Sequence, residues 1–314
     1  MNNSIRYTYI CSAGHSGSTL LDLLLGSHSQ VESLGEIIHL SKNISLNTAC
    51  ACGVPIRSCY LWKRVAEMLN RQLGIDVFEQ PYALHMGFPD PQNVKDRIHT
   101  TLGYRMKRKW LRGLHYLDLK YDFHLPAPLL SSIHKGIENT FLVYEAVRKV
   151  SEKQMIVDSS KSYPEGIAIY KKNPGSTRII QLSRDGRAVF YSYLKRNFPR
   201  SKSLRGWRNH YARALPLLTK HVQRNHLYHM KYEELAGNPR RELERLCDFL
   251  DLGFEEDMLK FADRIHHITN GNNMRFRKSS EIRADEAWKR QLSEADHALF
   301  SRKAGDLNRR LGYA

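Results

Sequence analysis

The chain is short of cysteine, of acidic side chains relative to basic ones, and of long apolar runs, and each shortage removes a class of protein. Five cysteines in 314 residues are too few for a disulfide scaffold. No stretch approaches the roughly 18 consecutive apolar residues of a membrane-spanning helix. The N-terminal residues carry no basic-then-apolar leader ahead of the first strand pattern. A soluble, cytoplasmic protein is the expectation. Against 49 Lys and Arg stand only 32 Asp and Glu, a formal net charge of +17. An excess of that size favours polyanionic partners: a nucleotide, a nucleic acid or an acidic membrane surface. The length allows a sizeable core, and one domain over residues 1–314 with insertions is expected.

A lysine is missing where it would matter most. Tyr7 to Cys11 is rich in β-branched and aromatic residues, as a buried strand should be. Gly14-His15-Ser16-Gly17-Ser18-Thr19 follows without a large apolar side chain, and Leu20, Leu21, Leu23, Leu24 and Leu25 then predict a helix packed into a core. Such a loop turns the unpaired N–H groups and positive dipole end of the helix toward its contents. That is a place for phosphate or sulfate. The Walker pattern needs four residues between its glycines and a lysine before the hydroxyl residue. Here Gly14 and Gly17 are separated by two residues and Ser18 follows Gly17 directly, which disfavours an ordinary nucleotide triphosphatase.

Downstream, Glu36 lies between Gly35 and Ile37-Ile38, near buried surface, where a carboxylate is costly unless paired or used. Met155 to Asp158 reads as a strand ending in Ser159-Ser160-Lys161, its final aspartate like that of a Walker B strand. Thr177 to Leu182 is another strand, followed by Arg184 and a helix from Ala188 to about Arg196. Arg184, Ser192 and Arg196 fall on one face of that segment and make a second anion site. A helix at 207–222 interrupted or bent near Pro216, a strand at 227–231, a turn from Tyr232 to Pro239 and a helix at 239–250 complete the pattern. The alternation predicts an α/β fold, a mostly parallel central sheet flanked by helices with helical insertions. Ligands on such sheets bind beyond the carboxyl ends of strands, so the segments ending at Ser12, Ser159, Ser183 and Tyr232 should share one crevice. The cation-rich turn containing Gly271 and Arg275 would act as its lid.

Residues from about 63 to 150 carry no motif and read as a helical insertion capping the acceptor side. Its stretch from Lys95 to Arg112 has seven Lys or Arg and one acid, interleaved with Leu102, Met106 and Trp110. Peripheral contact with an anionic membrane is one use for such a helix. Cys50, Cys52 and Cys59 fall within ten residues and could hold zinc with a fourth ligand such as His39, or two could pair. The C-x₂-C spacing common in zinc sites is absent, and the preferred reading is a structural Cys/Gly/Pro turn with no metal.

Taken in order, these segments resemble the sulfotransferases that use 3′-phosphoadenosine 5′-phosphosulfate (PAPS), above all bacterial members and the related protein-tyrosine sulfotransferases. The resemblance rests on Gly14 to Thr19, with His15 where the family usually has Arg or Lys, and on Leu34-Gly35-Glu36, Asp158 to Lys161, Arg184 to Ser192, Lys231 to Leu235 and Gly271 to Arg275. The Cys52-Gly53 to Trp62 segment also looks like that of bacterial members. The resemblance implies a P-loop-like sandwich fold, with PAPS as co-substrate and no metal. Gly14, His15, Ser16, Gly17, Ser18 and Thr19 would hold the 5′-phosphosulfate, and Arg184, Ser192, Arg196 and Arg275 the 3′-phosphate. Tyr232 would lie by the adenine. Glu36 would serve as base for an acceptor hydroxyl on a carbohydrate, lipid, small metabolite or peptide tyrosine, while Lys161 and His15 stabilise the transferring group. No nucleic-acid partner is expected. The alternatives are a P-loop kinase or NTPase, and a basic polyanion-binding protein without catalysis.

Overall fold

The computed structural model describes residues 6–86 and 102–313. At its centre lie five parallel strands: β1 (Tyr7–Ser12), β2 (Val31–Ser33), β3 (Met155–Lys161), β4 (Thr177–Ser183) and β5 (Leu227–Lys231), in the order β2-β3-β1-β4-β5. Their connections carry helices α1 (Ser18–Gly26), α2 (Leu40–Ser45), α3 (Tyr60–Leu73), α4 (Leu102–Tyr121), α5 (Ala127–Ser151), α6 (Tyr163–Lys172), α7 (Gly186–Leu194) and α8 (Arg200–His221), and after β5 come α9 (Tyr232–Gly237), α10 (Pro239–Phe249), α11 (Trp288–Gln291) and α12 (Glu294–Arg310). The expected α/β sandwich with its parallel sheet is therefore present, and α3, α4 and α5 supply the helical segment between β2 and β3.

Every residue of β1 is buried, because helices cover both faces of the sheet. Tyr7, Tyr9 and Cys11 point to one face, packed with Ile156, Ile179, Val65, Tyr144, Ile167 and Leu218. Ile10 points to the other, with Val157, Ile180, Leu182, the α1 leucines and Leu243 and Leu246 of α10. Helix α1 spans nine residues, too few to persist alone. Its leucines 20, 21, 23, 24 and 25 are all buried, each contributing about 1.5–3 kcal/mol, and so the loop before it is fixed by the core behind it. Asp22 of α1 accepts from Ser33 Oγ at 2.6 Å and from Ser159 Oγ, tying α1 to the ends of β2 and β3. Burial pushes its carboxyl up to about 7.

The chain leaves β1 for β2 and β3 on one side, then crosses to β4 on the other. Connections thus diverge from the carboxyl end of β1, and that divergence opens the crevice. Three elements differ from expectation. Helix α7 stops at Leu194 rather than near Arg196, because Asn197 adopts a left-handed conformation (φ 58°) and the N–H groups of Asn197 and Phe198 turn back to Leu194 O and Tyr193 O. Helix α8 begins at Arg200 and runs without a break through Pro216, while the expected turn after β5 contains the short helix α9. The part of the basic segment from Lys95 to residue 101 lies outside the described residues.

Candidate active site

A crevice of about 630 Å³ lies beyond the carboxyl ends of the strands. The loop after β1 forms its floor. His15 (φ 63°) and Gly17 (φ 92°) are both left-handed, and Gly17 immediately precedes α1. A Cβ on Gly17 would stand 2.3 Å from the Tyr232 ring, so glycine here is required by a neighbour as well as by φ. Underneath, the buried Tyr211 hydroxyl of α8 donates to Leu182 O (2.9 Å), accepts from the Ala13 N–H (3.3 Å) and shares a hydrogen bond with Ser16 Oγ (3.1 Å). One tyrosine therefore fixes the loop after β1 to the end of β4.

Arg184 follows β4. Its Nη1 donates to His15 O (3.1 Å), its Nη2 to Asp285 O (3.2 Å), and its guanidinium lies 4.5 Å from the centre of the Tyr232 ring. Its Nε is buried with no hydrogen-bond partner, a donor left for something else. The turn itself is held by Trp207 Nε1, which donates to Arg184 O (3.2 Å), and by Asp185, whose side chain caps α7 at Arg187 N (2.8 Å). On the opposite wall, Glu36 forms an ion pair with Lys161, and His39 Nε2 lies 3.8 Å from the same carboxylate. The pairing answers the cost of placing Glu36 against buried surface. Lys161 reaches it from a left-handed position (φ 70°) where β3 ends.

The last wall comes from the other end of the chain. Asn272 N donates to Thr19 Oγ1 (3.0 Å), and a Cβ on Gly271 would lie 3.0 Å from that same oxygen. The structure thus brings Gly14, His15, Gly17, Ser18, Thr19, Glu36, Lys161, Arg184, Ser192, Arg196 and Tyr232 onto one surface. Ser16 and Arg275 are not on it. Ser16 is buried against Tyr211, and Arg275 turns back, with Nη1 donating to Gly271 O at 2.6 Å and its guanidinium over Phe276. Sequence reasoning missed Lys195, Arg283 and Asp285, which do line it. Lys195 adjoins Arg196, but nothing marks 283 or 285 beyond their charge. None of the described residues of the basic α4 helix lines the crevice; instead Leu102, Met106 and Trp110 are exposed at intervals of four.

Among the described residues, six cations (Lys161, Arg184, Lys195, Arg196, Arg277, Arg283) and two carboxylates (Glu36, Asp285) surround this space, a field that favours anions. The field acts on His15: burial lowers its imidazole to about 4, and Arg196, Lys161 and Arg184 push in the same direction. At neutral pH the ring is therefore uncharged.

Comparison with known proteins points the same way. The sequence model of the sulfotransferase family matches residues 83–256, more than half of the chain. This chain belongs to the sulfotransferase family. Among solved structures, the sulfotransferase domain of the Synechococcus PCC 7002 olefin synthase aligns over 100% of this chain and 97% of its own, with 19% identity and a TM-score of 0.54. Sulfotransferase STF1 of Mycobacterium tuberculosis H37Rv aligns over 96% of this chain and 77% of its own, with 12% identity and a TM-score of 0.50. At these identities the likeness is one of fold. No curated protein sequence gives a significant match. Among the described residues of this sulfotransferase, no helix is long and apolar enough to cross a membrane.

Proposed function

We propose that the crevice binds PAPS and passes its sulfuryl group to an acceptor hydroxyl, with Glu36 as the base. The observation that carries this reading is the Glu36–Lys161 pair facing, across one crevice, both the helix-leading loop and the Arg184 group. The donor supplies an activated sulfuryl group; the protein's work is positioning and charge. Main-chain N–H groups of the loop and the hydroxyls of Ser18 and Thr19 hold the 5′ end. Arg184, through its orphaned Nε among others, acts with Ser192 and Arg196 on the 3′-phosphate. Tyr232, already packed on Arg184, offers its ring to the base. Lys161 keeps Glu36 in place and turns toward the phosphosulfate when that anion competes for its ammonium group. Glu36 then takes the proton of the acceptor hydroxyl as the acceptor O–S bond forms and the S–O bond to the 5′-phosphate breaks, leaving adenosine 3′,5′-bisphosphate. Lys161 and a newly protonated His15 stabilise charge on the departing oxygen.

The kinase alternative loses its metal-holding aspartate. Asp158 is buried, accepting from Tyr144 Oη (2.5 Å) and from Ser160 N (2.7 Å) and Oγ (2.5 Å), and it does not line the crevice. Titration calorimetry tests the proposal. Adenosine 3′,5′-bisphosphate should bind without metal at micromolar affinity, about −8 kcal/mol, and ATP with Mg²⁺ should not compete. Glu36→Gln should keep that affinity while transfer from PAPS falls by about 10²–10⁴-fold. Full turnover in Glu36→Gln removes the base, and preference for Mg²⁺–ATP removes the donor.

A further inference from the structure

The three cysteines of the 50–59 segment converge with a residue more than two hundred positions away. The Sγ atoms of Cys50, Cys52 and Cys59 and a ring nitrogen of His267 all lie within 4.8 Å of one another. Cys59 Sγ is 3.2 Å from His267 Nδ1. His39, the fourth ligand suggested by sequence, lies instead beside Glu36. The geometry points to a structural zinc site of the Cys₃His type, held by Cys50, Cys52, Cys59 and His267.

A tetrahedron with Zn–S of about 2.3 Å has edges of about 3.8 Å, so four ligand atoms spaced this closely need only small adjustments to enclose one ion. The space suits a single metal ion, and thiolate with imidazole is the donor set that selects zinc. Four protein ligands close the coordination sphere, which marks a structural rather than a catalytic zinc. None of the four lines the crevice. On binding, zinc displaces a proton from each of the three thiols, and the neutral imidazole coordinates through Nδ1.

The backbone around the thiols is built as a knuckle. Ala49 bridges Pro55, Cys50 N donates to Val54 O (2.8 Å), and Gly53 N donates to Cys50 O (2.9 Å) with Gly53 left-handed at φ 93°. Cys59 immediately precedes α3, whose Trp62 Nε1 donates to His267 O (2.9 Å).

The residues after His267 carry the effect of the ion into the crevice. Ala51 N donates to Ile268 O (3.0 Å), Thr269 N to Leu34 O (3.2 Å) and Asn272 N to Thr19 Oγ1 (3.0 Å). The ion would therefore clamp the start of the 267–277 segment to the knuckle, and that segment forms one wall of the crevice. Its presence does not depend on which nucleotide binds there, since metal content is read without one.

The test is the metal content of the full chain, purified from zinc-supplemented medium without chelator. One zinc per chain is expected, with an X-ray absorption spectrum fitting three sulfurs at about 2.3 Å and one nitrogen at about 2.0 Å. Cys52→Ser and His267→Ala should lose it, while Cys247→Ser, a buried thiol against Met258, should retain it. Chelation should speed amide hydrogen exchange at Thr269 and Asn272 more than at the β1 amides. If the ligand variants do not fold, the zinc content and spectrum of the parent still decide. Metal-free protein overturns the site, whether five thiols react on denaturation or only three because two have paired.

Discussion

Two glycines in the same backbone region separate the cost of a left-handed φ from the cost of a close neighbour. Gly17 (φ 92°) leads into α1 and Gly74 (φ 68°) ends α3. A Cβ at Gly74 meets nothing within 4 Å, whereas one at Gly17 meets Tyr232 Cδ2 at 2.3 Å. For alanine the left-handed conformation costs roughly 1–2 kcal/mol, less about 0.4–1 kcal/mol recovered from a stiffer unfolded chain. Gly74→Ala should therefore lower stability by about 1 kcal/mol. Gly17→Ala bears the same cost plus overpacking of about 1–3 kcal/mol, since the ring it strikes is buried, so about 2–4 kcal/mol is expected from urea unfolding. The ring or the loop must move to admit the methyl. An ångström of displacement in the N–H groups should weaken bisphosphate binding up to about 10²-fold, while Gly74→Ala leaves it unchanged. Placing Gly17→Ala in a Tyr232→Ala background should return most of the excess, a coupling of about 0.5–3 kcal/mol. Equal destabilisation by the two glycine substitutions, or no coupling to Tyr232, would refute the claim that Tyr232 sets the shape of the loop.

Two further perturbations address the same loop. Tyr211→Phe leaves Ala13 N–H and Ser16 Oγ without their buried partner, while Leu182 O keeps Gln181 Nε2 at 3.3 Å; at about 1–3 kcal/mol per unsatisfied group, unfolding should show a loss of roughly 2 kcal/mol or more, with weaker bisphosphate binding. A loss below about 0.5 kcal/mol would mean that water replaces the hydroxyl. His15→Arg addresses pH. His15 starts low, at about 4, and a bound polyanion raises it, so binding takes up a proton and affinity falls as pH rises through the bound value. Arginine keeps its charge, and its affinity should lack that decline. The nucleotide's own phosphates titrate near 6, but that contribution is common to both proteins, so the difference between their calorimetric pH profiles isolates residue 15. Identical profiles would show that His15 stays neutral in the complex.

What the sequence made legible was local. A strand, a glycine loop and a leucine-rich helix start are consecutive, so Tyr7 to Leu25 could be read without knowing the rest. Arg184, Ser192 and Arg196 could be grouped because they share one short segment, even though α7 ends before Arg196. The site's supports are not local. Tyr211 lies 195 residues from Ser16 and looked like any apolar position of an amphipathic helix. Asp285 and Arg283 come from a stretch without regular structure, where period carries no information. The cysteine cluster shows the same limit: three ligands are neighbours in sequence, but the fourth is fixed only by the fold, and the nearest histidine on the chain is the wrong one.

Five residues with positive φ lie at or beside this crevice: His15 and Gly17 in the loop, Gly35 before Glu36, Lys161 at the end of β3, and Gly271 in the closing segment. For the two that are not glycine such a conformation costs on the order of 1–3 kcal/mol and persists only where the surroundings impose it. The surroundings differ on the two sides. The 12–19 loop is imposed by packing, with five buried leucines behind it and Tyr211 and Tyr232 against it. The Glu36 side is imposed by the 267–277 segment: a Cβ on Gly35 would stand 2.5 Å from both Asn270 O and the Ile268 side chain, so Glu36 keeps its place only while that segment keeps its own. Little hydrophobic core anchors residues 270–277, all of which are partly or fully exposed. A metal clamp at His267 would supply, by coordination, the rigidity that the other wall draws from its leucines, and it would do so three residues before the backbone that meets Gly35.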